Sequence, residues 1–399
     1  MMKKLVLHFD LNRTILMSDV AGGRSMENTL NYLLSECTYG QVKENEWVCV
    51  SKVPSLTPPA PSLLTYKAFV DTLYPYQSMH GATEALNDVK TFNKAQKKKR
   101  TALQSAFTSG PGRPIASSFE HVLSCLYFPD GPAREAAKAA AATMSDSGLK
   151  EAWSEGRYYI LPSFLHLLFH VEHHDSIEFK LIFRTFGEDI VEVAKEIDYL
   201  VEGRHPLFPG KMLAPSMRLT PPFATFYRGT VVLDRQFVQR SFADGFDASG
   251  TALALNTHHK VPFHASNTTD TPREFYAATA PDVTVVRGFS SVQETIHSML
   301  ATRSVIALRD YWEWWSTHAE HAEYGKLLLI DPSLPSVFFD DHVEEHEAHI
   351  VDVRDAATGA VVPFDEAKAK YLRRVEPYYA ITDADYYIHH IQSILDHAA

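Results

Sequence analysis

Asp10 closes an apolar run, Leu5-Val6-Leu7-His8-Phe9, and Asn12 and Thr14 follow at alternate positions. A short continuous apolar run marks a strand buried on both faces of a parallel sheet. Ligands of open α/β sheets sit at the carboxyl ends of the strands, so Asp10 is a carboxylate held where such proteins do their chemistry. Two other runs end in the same way. FKLIF (179–183) gives way to Thr185, and PSVFFDD (335–341) ends in the paired carboxylates Asp340 and Asp341, with Lys326 shortly ahead of it. A carboxylate, a hydroxyl, an ammonium group and an acidic pair are the groups that attack, hold or neutralise a charged substrate.

Taken in chain order, Asp10/Asn12/Thr14, Thr185, Lys326 and Asp340/Asp341 resemble motifs I to IV of the haloacid dehalogenase-like (HAD) superfamily of phosphatases and phosphotransferases. Those motifs are a strand followed by Asp-x-Asp-x-Thr, then a Ser or Thr, a Lys or Arg, and an acidic pair. The resemblance covers about 1–20, 155–200 and 282–345, with inserts where the superfamily carries caps. It implies a Mg²⁺-dependent phosphohydrolase or phosphotransferase that acts on a small phosphorylated metabolite through an aspartyl-phosphate intermediate. Asp10 would be the nucleophile. Mg²⁺ would be held by Asp10, the backbone carbonyl of Asn12 and Asp340, with Asp341 bound directly or through water. Thr185 would hydrogen-bond a phosphoryl oxygen, and Lys326 would balance the negative charge, with Arg309 the other candidate for that role. Such chemistry needs the counter-charge, because an anionic nucleophile must approach an anionic phosphoryl group.

One letter departs from the pattern: Asn12 stands where the second Asp is usual. By the resemblance, that Asp protonates the leaving group and later activates water, and an amide cannot exchange a proton in this way. Loss of general acid–base help costs about 10²–10⁴-fold in rate. The chain could therefore act only on good leaving groups such as acyl or aryl phosphates, or use another acid, with His342 the nearest in sequence. The alternative function is a catalytically impaired HAD-like protein that binds a phosphorylated ligand or partner.

The elements that must position these residues form a three-layer, Rossmann-like α/β fold, a parallel sheet with helices on both faces. The HAD-like core is expected over 1–20, 155–202 and 281–399, a mainly helical cap over 21–154, and a second insertion or extended loop region over 203–280. In the core, DIVEVAKEIDYLV (189–201) has helical periodicity, VTVV (283–286) reads as a third strand, and 291–315 reads as one or two helices. Proline punctuates 54–61 and 203–222, and 383–397 closes the chain as a helix. The two inserts are expected to close over the site, exclude water and select the substrate.

A chain of 399 residues exceeds one compact core. The net charge of −11 argues against nucleic acid and against an anionic membrane as partner; a small phosphorylated substrate is what the resemblance implies, and nothing in the sequence sets an oligomeric state. Three widely spaced cysteines (Cys37, Cys49, Cys125) build no disulfide framework, no apolar stretch is long enough to cross a bilayer, and a cytoplasmic location follows as the expectation. His342-Val343-Glu344-Glu345-His346 matches the H-x-x-E-H pattern of zinc peptidases but follows a strand end too closely for the helix that pattern needs. The histidines at 170, 173 and 174 read as a helix end, those at 258, 259 and 264 as surface, and Lys97 to Arg100 as a solvated helix face.

Overall fold

The computed structural model describes residues 3–17, 25–78, 86–228, 231–233, 239–241, 250–258, 260–264, 270–317, 320, 322–343 and 350–398. The chain divides into two compact units, one made of 1–14 and 168–375, the other of 15–167 and 376–399.

Among the described residues the first unit has twelve strands; besides the short antiparallel pair Val231–Leu233 and Gln239–Ser241, they are β1 (Lys3–Asp10), β2 (Ile177–Thr185), β3 (Ala224–Arg228), β4 (Thr251–Leu255), β5 (Thr284–Arg287), β6 (Val305–Arg309), β7 (Lys326–Ile330), β8 (Ser336–Asp340), β9 (Val351–Asp355) and β10 (Leu372–Arg374). Eight of them form one sheet in the order β5-β4-β3-β6-β2-β1-β8-β10, and β7 pairs with β9 separately. From β3 to β10 every neighbouring pair is parallel, whereas β4 runs against both β3 and β5. The fold is thus α/β with a mixed, mostly parallel central sheet flanked by helices, where a wholly parallel sheet was expected. The reversal comes from the proline-punctuated region: 203–280 supplies β3 and β4, two strands of the main sheet.

Burial follows from the apolar runs. Leu5 to Asp10 are all buried, because β1 lies between β2 and β8 and is covered on both faces. Alternation sorts the side chains of β3 and β4. Phe226 and Leu253 pack with Val292, Ile296 and Leu300 of one helix (Phe289–Thr302), while Tyr227, Ala252 and Ala254 pack with Tyr276 and Trp314 on the opposite face. Helix α1 (Ile190–Val201), which follows β2, buries Ile190, Val193, Ile197 and Leu200 at helical spacing.

Two sequence expectations differ in detail. The region 291–315 is not continuous helix: the helix stops at Thr302 and β6 follows, its Val305-Ile306-Ala307-Leu308 buried between β3 and β2. An apolar run of that length fits a buried strand as well as a helix, and only its neighbours decide. The VTVV segment is a strand, but at the sheet's edge and paired only with β4.

The second unit is mainly helical, with a small three-stranded sheet in which Tyr39–Lys43 lies between Glu46–Cys49 and Leu64–Thr65. Its first helix, Met26–Glu36, is capped by the Ser25 side chain on the Asn28 N–H. The C-terminal residues, assigned from sequence to the core, belong to this unit. Ser163 Oγ donates to the Ala380 carbonyl at 2.5 Å, and Tyr387 packs edge-on against Phe164, so the segment is tied to the helix that carries Ser163 and Phe164. Among the described residues no helix is long and apolar enough to cross a membrane.

Candidate functional site

Parallel pairing fixes the site. Phe9 lies opposite Phe183 on β2 and Phe339 on β8, so the last residues of the three neighbouring strands, Asp10, Thr185 and Asp340, emerge at one edge of the sheet. That edge is where open α/β sheets bind ligands. Lys326 reaches it from the start of β7. Its Nζ donates to Asp10 Oδ1 at 2.5 Å and to Asp340 Oδ2 at 2.8 Å, with all three side chains nearly out of water. Burial alone would lower the lysine, but Asp10 and Asp340 outweigh it and hold its pKa above the usual value. Asp10 moves the other way. Burial raises its pKa, Lys326 opposes, and the neighbouring Asp340 and Asp341 add to the rise.

Asp341 is buried beside this group. Burial would raise its carboxyl, yet His342 and Arg13 hold it well below the usual range. His342 Nδ1 is 3.1 Å from Asp341 Oδ1, and Arg13 Nη1 is 3.4 Å from Oδ2. The same carboxylate pushes the His342 imidazole up to about 9. The His342 backbone N–H also donates to Asp340 Oδ1 at 2.8 Å. Arg13 has φ of 60°, a left-handed conformation that costs a non-glycine residue about 1–2 kcal/mol. That strain sits in the turn that carries Asn12 and aims the guanidinium at Asp341.

Thr185 Oγ1 accepts the Gly187 N–H at 2.8 Å, which leaves the hydroxyl proton to be donated. Arg309 pairs with Glu188 instead, its Nη1 donating to Glu188 Oε1 at 3.1 Å. Thr14 is buried in the turn after β1. Asn12 Nδ2 donates to Asp189 Oδ2 at 3.2 Å.

The structure therefore brings Asp10, Lys326, Asp340 and Asp341 together, with Thr185 on the adjoining strand end. Asp340, Asp341 and His342 offer atoms within 4.8 Å of one another, the one such grouping among the described residues. With Asp10 added, the carboxylates are hard oxygen donors of the kind a divalent cation such as Mg²⁺ takes, and the residues fit that ion.

No known protein family, curated protein or solved structure matches this chain. The site is read from its own geometry.

Three participants had no clear signal in the sequence. Asp189 reads as an ordinary helix-capping residue. Gly187 matters through what it lacks, a side chain. Arg184 is entirely buried; its Nε and Nη2 pair with Asp310 at 2.9 and 2.5 Å, and its Nη1 donates to the Leu327 carbonyl at 2.9 Å. Its one signal is a charge inside FKLIFRT, since a buried charge demands a partner. Of the motifs set aside, Glu345 and His346 lie outside the described residues, as does His259. The His170 and His174 rings meet edge-on, and His174 Nδ1 accepts the Ile177 N–H, as at an ordinary helix end.

Proposed function

We propose that this protein is a Mg²⁺-dependent phosphohydrolase or phosphotransferase of HAD-like type, acting on a small phosphorylated metabolite with Asp10 as nucleophile. The observation that carries the reading is the Lys326 ammonium held between Asp10 and Asp340 at the ends of adjacent parallel strands. A nucleophilic carboxylate and a phosphate repel each other, and a fixed cation between the carboxylates offsets that repulsion without reorganising during the reaction.

In this reading the Asp10 carboxylate attacks phosphorus in line and the leaving oxygen departs on the far side. The Thr185 hydroxyl, oriented by the Gly187 N–H, donates to a phosphoryl oxygen. Lys326 holds Asp10 in place and neutralises charge that builds on the phosphoryl group. Asp10, Asp340 and Asp341, with the Asn12 carbonyl, would hold Mg²⁺, which when bound would supply further positive charge to the phosphoryl oxygens. Water then cleaves the acyl phosphate and restores Asp10, or an acceptor alcohol takes the phosphoryl group.

A second reading, binding of a phosphorylated ligand without turnover, is favoured by the amide at position 12, which can orient a neighbour but cannot deliver a proton. Phosphate release from an aryl and an acyl phosphate, with and without Mg²⁺ and beside Asp10→Asn, separates the two. Release that needs both Mg²⁺ and Asp10 supports the enzyme. Mg²⁺ binding by folded protein with no release supports the binder.

A further inference from the structure

Asp189 stands at the entrance of α1 yet does not cap it. A carboxylate there ordinarily accepts a backbone N–H of its own first turn, and that bond is not made. The side chain instead accepts from Asn12 Nδ2. Gly187 makes the contact possible. A Cβ at Gly187 would fall 2.7 Å from Asp189 Oδ2, 3.4 Å from Thr185 Oγ1 and 3.9 Å from Asn12 Nδ2. One position without a side chain thus borders a hydroxyl, an amide and a carboxylate at once, on the strand end next to Asp10.

Resting on the reading of Asp10 as nucleophile, we propose that Asp189 is the general base of the second half-reaction, and that Asn12 is the amide that positions it. The contact has a direction: Asn12 gives its hydrogen and Asp189 receives it, so the carboxylate is arranged to take a proton rather than deliver one. In the first step an Asp10 oxygen bonds to phosphorus and the bond to the leaving oxygen breaks, its electron pair departing with that oxygen. No proton is supplied at position 12, so the substrate class is one whose leaving oxygen is stable as an anion, an acyl or aryl phosphate. In the second step a water oxygen bonds to phosphorus and its proton passes to Asp189. The bond between phosphorus and Asp10 breaks, orthophosphate leaves, and Asp189 returns the proton to solvent.

The test is rapid mixing of the full chain with 4-nitrophenyl phosphate and Mg²⁺, comparing wild type, Asp189→Asn, Asp10→Asn and the double variant Asn12→Asp/Asp189→Asn. Asp189→Asn should release one nitrophenolate per enzyme in a burst and then turn over at least about 100-fold more slowly than wild type. Its phosphorylated form should accumulate and be visible by intact-protein mass spectrometry. The double variant, which moves the carboxylate to position 12, should recover turnover to within about tenfold of wild type. Steady turnover in Asp189→Asn within about threefold of wild type, or joint loss of burst and turnover at an unchanged melting temperature, overturns the proposal. Release that is equal in wild type and Asp10→Asn overturns the nucleophile reading instead, and the two failures are told apart by that one variant.

Discussion

Arg184 and Asp310 form a bidentate ion pair with both side chains out of water; Arg184 is paired across the strands with Asp10, and the Asp310 N–H donates to the Thr185 carbonyl. The same guanidinium holds the Leu327 carbonyl, one residue from Lys326, and lies over the Phe226 and Phe338 rings. The pair therefore ties β2 and β6 to the start of β7, and it sets where the Lys326 ammonium arrives. Removing one member leaves a buried charge without a partner, which costs about 3–5 kcal/mol. Arg184→Met and Asp310→Leu should each lower unfolding stability by that amount in urea titrations, and the double variant should recover most of the loss. If either single variant loses less than about 1 kcal/mol, the pair is not the tie described.

Lys326 and a divalent cation would draw on the same carboxylate oxygens, and this gives Lys326→Met two effects of opposite sign. Without the ammonium, Asp10 and Asp340 present more negative charge, so Mg²⁺ should bind at least about tenfold more tightly, about 1.4 kcal/mol. Turnover should nevertheless fall about 10²–10³-fold, since a fixed charge aimed at the reacting group is lost. Calorimetry with Mg²⁺ and steady-state kinetics at saturating Mg²⁺ read the two effects separately. Weaker Mg²⁺ binding in the variant would count against a shared set of oxygens. Stripping the wild type with a chelator should abolish turnover, and Mg²⁺ should restore it.

Gly187→Ala tests the space beside Thr185 and Asn12. The added methyl would meet the far end of the Asp189 side chain at 2.7 Å, and a short flexible group can swing aside. Stability should change by less than about 1 kcal/mol, a value usual for substitutions that avoid the core. Asp189 would leave Asn12, so the phosphorylated enzyme should accumulate as in Asp189→Asn. An unchanged turnover would show that Asp189 does not need its place against Asn12.

The strand ends were legible in the sequence because burial is written in composition: LVLHF, FKLIF and PSVFF are short apolar runs that fit interior strands, and the polar residues Asp10, Thr185 and Asp340 close those strands. Parallel pairing then puts those ends side by side, as Asp10, Thr185 and Asp340 are. What could not be read depends on contacts between distant segments. VIALR (305–309) carries no local mark that separates strand from helix, and β4 runs backwards through a segment whose prolines suggested loop. Asp189 is a more pointed case. Its neighbours give every reason for a helix cap, and only the amide of Asn12, brought to it by the pairing of β1 with β2, turns it away. The C-terminal helix, Tyr386–Ala398, belongs to the second unit, and the sequence does not show this for the same reason: amphipathic spacing says that a helix packs but not on what.

His8 gives the fold a pH dependence that can be isolated. It lies on β1, wholly buried, stacked on Phe338 with ring centroids 5.5 Å apart and 3.4 Å from Arg184 Nη1. Burial first, and the neighbouring guanidinium second, hold its pKa well below the ordinary 6.5. In the unfolded chain the imidazole takes a proton as the pH falls through about 6.5, whereas in the folded chain it stays neutral. The unfolded state therefore binds more protons below that point, and stability falls with pH there, by up to about 1.4 kcal/mol per unit. Above about 6.5 both states are neutral and this contribution is flat. His8→Gln keeps an acceptor near Arg184 and removes the titration. With chelator present, to hold metal binding constant, urea titrations of wild type from pH 8 to 5 should show a steeper loss than the variant, the difference opening only below about pH 6.5. Parallel curves for the two proteins, each cooperative at every pH, would mean that His8 is not held neutral in the fold.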